Sequence, residues 1–215
     1  MRILESCSNS FQTLCGNFVT FSHKVSKDDW QYFLPFVVCL ICFGATDLFG
    51  IIDKTRFAYW SGGLLVEPYR IITAHFIHGN AKHLLANIFG IAVARYCLKG
   101  LRLKGNWFFL LLIGLLIPLQ TLIFALVDIF FFRNTMSFAI GFSGILYGVD
   151  AFILLSSMYG KQYFVGLNID LRKDQQIRQT IIVLTGLGIA WSFLPGISLL
   201  GHLAGFIAGV LLFLI

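Results

Sequence analysis

The chain has 215 residues, of which 58% are hydrophobic and only 12% charged, and its formal net charge is +6. An ordinary soluble domain carries about 25% charged residues, so this composition excludes a globular soluble enzyme and points to a multi-span membrane protein. In such a chain surplus positive charge orients the bundle in the bilayer, and no nucleic-acid partner is expected.

Residues 1–30 lack the continuous apolar core of a signal peptide and read as a short extramembrane segment. Residues 31–215 read as one helical domain without repeats. A spanning helix needs about 20 mostly apolar residues. Candidate spans fall at 33–52, 71–98, 107–127, 142–159, 177–194 and 197–215. Within the first, Cys39 and Cys42 form a CxxC in the apolar run "FVVCLICFG". A zinc or redox pair wants polar surroundings and further ligands, so these cysteines read as small core residues. The last two spans are joined by a very short connection around Pro195.

Charge orients the six spans. With the N-terminus in the cytoplasm, Arg2, Lys24, Lys27, Arg95, Lys99, Arg102, Lys104, Lys161, Arg172, Lys173 and Arg178 lie inside. Only Lys54, Arg56, Arg70, Lys82 and Arg133 lie outside. This bias is the one the positive-inside rule expects. The second, fourth and sixth spans then enter from the outer face.

Polar side chains at membrane depth are costly and mark function or helix contacts. Here they gather near the outer ends of those three spans: His75, His78, His83 and Asn87 in the second, Ser143 in the fourth, His202 in the sixth. His83 and Asn87 are four apart and share a helix face, as do Ser143 and Tyr147, with Asp150 one turn further. Gly144 and Gly148, and Gly201, Gly205 and Gly209, repeat at the spacing that lets helix backbones approach closely. Packing of the fourth span on the sixth through these glycines would bring Ser143 and His202 together. A serine needs such a neighbouring base to act as a nucleophile, and histidine is suited to it.

The residues leave other readings open. GxxxG also serves plain packing, and a lone Ser or His in a span also serves as an interhelical hydrogen-bonder. The second-span histidines could bind a metal, but HxxxxH lacks the glutamate of HExxH, and Glu5 and Glu67 are the only glutamates. No metal or cofactor is therefore expected. Asp47 and Asp150 could share a proton as an aspartyl pair, although "GATD" and "YGVD" differ from the Tyr-Asp and Gly-x-Gly-Asp patterns of aspartyl intramembrane proteases. A small transporter is disfavoured because no paired broken helices are visible.

Taken together, His78, His83 and Asn87 (H-x4-H-x3-N), "GFSG" at 141–144 and "GHLAGFIAG" at 201–209 resemble the motifs of rhomboid intramembrane serine proteases. The resemblance covers 33–215 and implies a six-helix rhomboid-like bundle, all α. It implies Ser143 as nucleophile, His202 as general base, and Tyr147 packed against the imidazole. It implies His83 and Asn87, with the Ser143 backbone N–H, as oxyanion donors. His78 would be supportive, and Gly141 and Gly144 would supply the tight backbone around the serine. Substrates would be single-span proteins of the same bilayer, entering beside the fifth span. The compact length is similar to bacterial members, so a bacterial plasma membrane is expected; oligomeric state is open.

Two departures stand out. The first external loop, 53–70, is short and lacks the helical hairpin of larger members, which puts lateral support of the bundle in question. Asp150 lies outside the motifs; it reads first as a structural contact to a neighbouring helix, and otherwise as a group that biases His202 through water. The stretch "AYWSGGLLVEPYRIITAHFIH" is also similar to rhombosortases, which process proteins with a C-terminal Gly-Gly anchor segment. Relatives lacking the serine or histidine act as inactive binders of membrane segments; both residues are present here.

Overall fold

Six long helices appear in the computed structural model, which describes residues 26–131, 133, 137–194 and 196–215. They are α1 (Trp30–Phe43), α2 (Ala81–Gly100), α3 (Phe108–Leu126), α4 (Ser143–Tyr159), α5 (Gln175–Trp191) and α6 (Leu199–Leu214). Most of the N-terminal extramembrane segment expected from sequence, with Cys7 and Cys15, falls outside the described residues.

The bundle has the polarity of a membrane protein. Ile41, Leu85, Leu122, Leu187 and Leu211 are exposed on its exterior, while Asn87, Gln120, Thr121, Ser156 and Thr185 are buried inside. Lipid leaves apolar exteriors without cost, and interhelical polar contacts hold the interior. By length and hydropathy, Lys27–Leu48 and Phe108–Phe130 are long enough to cross a bilayer, whereas Ser143–Tyr159 and Leu199–Leu214 are shorter apolar helices. At about 1.5 Å per residue, the 17 residues of α4 fall short of a hydrocarbon core about 30 Å thick.

One expected element differs. The second span does not run as a helix from residue 71. A one-turn helix, Arg70–Thr73, passes into a 3-10 turn, Ala74–Phe76, and then into extended chain at Ile77. α2 starts only at Ala81, where the Asn80 side chain accepts the His83 backbone N–H at 2.9 Å. Asn80 satisfies an orphan amide of the first helical turn, which makes it a better helix start than an interior residue. His75 and His78 therefore precede the helix that carries His83 and Asn87.

α4 and α6 cross through their glycines, as the spacing predicts. A Cβ at Gly205 would strike the Gly144 carbonyl, and one at Gly209 the Gly148 carbonyl. Backbone faces backbone at these points, so no side chain can yield. Gly205→Ala is expected to lose about 1–3 kcal/mol, the usual cost of overpacking. The measurement is a lower unfolding midpoint in detergent, accompanied by lower activity as α6 is pushed off α4.

The ends of the helices are tied by polar contacts. Asp29, ahead of α1, pairs with Arg95 at 2.8 Å and Lys99 at 2.6 Å near the end of α2. The Gln31 side chain accepts the Phe109 backbone N–H at the start of α3. Between α4 and α5 the chain forms a hairpin of β3 (Lys161–Phe164) and β4 (Leu167–Leu171). Its two-residue turn has Val165 and Gly166 both at positive φ, the backbone twist that suits a tight hairpin. Phe164 is fully buried against Phe108 and Phe152.

At the other end, β1 (Tyr59–Trp60) pairs antiparallel with β2 (Phe138–Ala139). The first loop has internal support despite its brevity. The buried Arg70 guanidinium donates to the carbonyls of Thr55 and Ala58 and to the Glu67 carboxylate. Hydrogen bonds from Tyr69 and Arg70 hold the Glu67 carboxyl below its ordinary pKa.

Candidate functional site

The N-terminal turns of α2, α4 and α6 meet at one end of the bundle. The path to α4 runs through β2 and then Gly141, whose N–H donates to the Ala74 carbonyl at 2.9 Å. Gly141 has φ of 113°, a conformation that suits glycine. A Cβ there would also collide with the His83 imidazole. Gly141 thus serves two needs: the backbone turns sharply, and the His83 ring lies close against it. Buried Phe142 follows, and Ser143 opens the helix.

On α6 the Ser198 hydroxyl accepts the Gly201 N–H at 3.0 Å, starting the helix so that His202 stands in its first turn. His202 Nε2 lies 2.8 Å from Ser143 Oγ. The imidazole stacks on the Tyr147 ring, with centroids 4.3 Å apart and planes 16° from parallel. His202 Nδ1 lies 2.6 Å from Ser192 Oγ. Gln120 Nε2 donates to the Gly201 carbonyl and rests against Gly144, bracing the α4–α6 crossing from α3.

These groups border a cavity of about 1080 Å³ that Ser143, His202, His83, Asn87, Tyr147 and Asp150 all line. Asn87 is 3% exposed, and its Nδ2 has no hydrogen-bond partner among the described residues. Buried donors are normally paired, so an unpaired one is itself informative. His78 is fully buried, with Nδ1 3.1 Å from the Phe76 carbonyl and its ring edge-on to His83 at 5.2 Å. It touches His83 rather than the serine. His75 takes a separate partner, the Thr121 hydroxyl at 3.0 Å. Among the described residues no group of three or more His, Cys, Asp or Glu side chains is placed to hold a metal ion.

The two aspartates of the alternative reading hold different partners. Asp47 pairs with Lys54 at 2.6 Å and accepts from Thr46 in the short helical stretch Gly44–Leu48 that follows α1. Asp150 accepts from Thr185 of α5 at 3.4 Å, a contact between helices.

Ser192 and Gln120 escape the sequence reading. Ser192 sits in "AWSFLPG", a short polar interruption after α5. No helical periodicity relates it to His202, because it follows the end of α5 and the next helix begins only at Leu199. The site can pass a proton from a serine hydroxyl to an imidazole that is gripped on both nitrogens and one face. Comparison with known families places the chain against the family model described as Rhomboid domain, which matches residues 65–215. Comparison with curated proteins gives no significant match.

Proposed function

The chain belongs to the rhomboid family of membrane-embedded proteases, and on that premise we propose that it is a serine endopeptidase that cleaves single-span membrane proteins within or near their transmembrane segments. The observation that carries this reading is the 2.8 Å contact between Ser143 Oγ and His202 Nε2, beside a cavity that Asn87 also lines, its Nδ2 unpaired among the described residues. Residues 31–215 form the protease domain and 1–30 its extramembrane lead. The N-terminus lies in the cytoplasm and the site opens toward the outer face, in keeping with the positive-inside rule.

The geometry supports the following reaction. Ser143 Oγ attacks the scissile carbonyl while its proton moves to His202 Nε2. The carbonyl π-bond opens to a tetrahedral oxyanion near Gly141, within reach of the His83 ring, the Asn87 amide and the Ser143 N–H. Collapse breaks the C–N bond, and Nε2 returns the proton to the leaving amine. Water then repeats the sequence on the acyl-serine, releasing the carboxyl product and restoring the hydroxyl. Water reaches the site because Ser143 stands at the head of a short helix approached by non-helical chain, which is tolerated at depth where it lines a cavity.

A fluorophosphonate probe tests the nucleophile directly. One covalent adduct on Ser143 is expected, absent in Ser143→Ala and strongly slowed in His202→Ala. An unlabelled wild-type protein would instead favour an inactive binder of membrane segments or an aspartyl mechanism.

A further inference from the structure

We propose that Ser192 is a positioning residue that fixes the tautomer of His202, holding the proton on Nδ1 so that Nε2 is free to accept from Ser143. The inference rests on the Ser143–His202 reading. The Ser192 hydroxyl has one hydrogen, and its two shortest contacts compete for it. Oγ lies 2.8 Å from the Gly188 carbonyl and 2.6 Å from His202 Nδ1. The carbonyl can only accept. The hydrogen therefore goes to Gly188, since two bare oxygens at that separation would repel. Ser192 Oγ is left to accept, and His202 Nδ1 must carry a proton to donate. The other ring nitrogen, Nε2, is then an acceptor facing the Ser143 hydroxyl.

The donors form one directed chain. Ser143 O–H gives to His202 Nε2, Nδ1–H gives to Ser192, and Ser192 O–H gives to the Gly188 carbonyl. Each bond polarises the next in the same sense. During attack only the Nε2 proton moves. The Nδ1 proton stays in place and its bond to Ser192 becomes charge-assisted as the imidazolium forms.

Ser192 is held well enough for this task. It is 3% exposed, and its backbone N–H bonds the Gly188 and Ile189 carbonyls at 3.0 Å each. Tyr147 adds a further restraint, stacking on the imidazole with its hydroxyl 3.5 Å from Ser192 Oγ. The carboxylate that lines the same cavity, Asp150, is engaged by Thr185 instead. A neutral hydroxyl orients the ring without placing a buried charge beside it at membrane depth, where charges are costly.

The test pairs Ser192→Ala with Ser192→Thr and Ser192→Val. Threonine keeps the hydroxyl and valine matches its shape without one, so this pair serves even if the alanine variant folds poorly. On a helix-anchored substrate, Ala and Val are expected to lower kcat about ten- to a hundredfold, by analogy with the loss of a partner that orients a metal-bound histidine. KM should stay unchanged, and Thr should retain most activity. In 15N-histidine NMR, the His202 signals (those lost in His202→Ala) should show protonated Nδ1 and bare Nε2 in the wild type, and a tautomer mixture in Ser192→Val. A single Nδ1–H tautomer and near wild-type kcat in Ser192→Val would overturn the proposal. The NMR pattern does not depend on turnover, so it separates this failure from failure of the dyad, which would appear as activity surviving Ser143→Ala.

Discussion

Ser143→Ala and His202→Ala are each expected to reduce cleavage of a reconstituted, helix-anchored substrate to background, a loss on the order of 10⁴-fold or more. The magnitude follows from the sharing of one proton. Without Oγ there is no nucleophile, and without Nε2 at 2.8 Å the hydroxyl keeps its proton through the attack. Because the two act as a unit, the double variant should be no worse than either single one. That non-additivity separates a catalytic pair from two residues that merely pack. Neither substitution should unfold the protein, since the α4–α6 crossing is made by backbone at Gly144, Gly148, Gly205 and Gly209. Full activity in either single variant sinks the mechanism.

The second large effect is expected at the oxyanion donors. Losing one such donor typically costs about 10²–10³ in kcat. Asn87 offers the sharper case, because its Nδ2 has no partner among the described residues. A buried donor without a partner is a standing cost to the folded state. Asn87→Leu, close to it in shape, should therefore leave the unfolding midpoint unchanged or raise it, while kcat falls about 10²–10³-fold. Activity and stability then move in opposite directions, which a purely structural asparagine would not allow. His83→Ala should lower kcat similarly, and it also opens the space that the ring occupies beside Gly141. A parallel loss of stability and activity in Asn87→Leu would assign that residue to packing.

Much of this site is written in helical spacing. His83 and Asn87, Ser143 and Tyr147, and the glycine ladders lie at intervals of four residues, so one helical assumption places each set on a common face. The meeting of His202 with Ser143 then follows from the glycines alone, because close backbone approach sets the register between α4 and α6. The broken start of the second span was not legible in this way. Hydropathy there favours continuous helix, and it is the Asn80 cap and the extended backbone at Ile77 that break it. The β3–β4 hairpin also went unmarked, because its burial comes from docking on Phe108 and Phe152 rather than from any local alternation.

Composition, charge bias and motif spacing by themselves determined a membrane-embedded helical bundle, its family resemblance and the faces on which the polar residues lie. These are local or additive properties, and a chain carries them whether folded or not. Only the tertiary structure decided what touches His202 on its second nitrogen, which donor near Gly141 lacks a partner among the described residues, and where Asp150 turns. Each of those depends on residues from separate helices meeting to within an ångström. That precision comes from packing across the whole bundle, and no periodicity within a single segment records it.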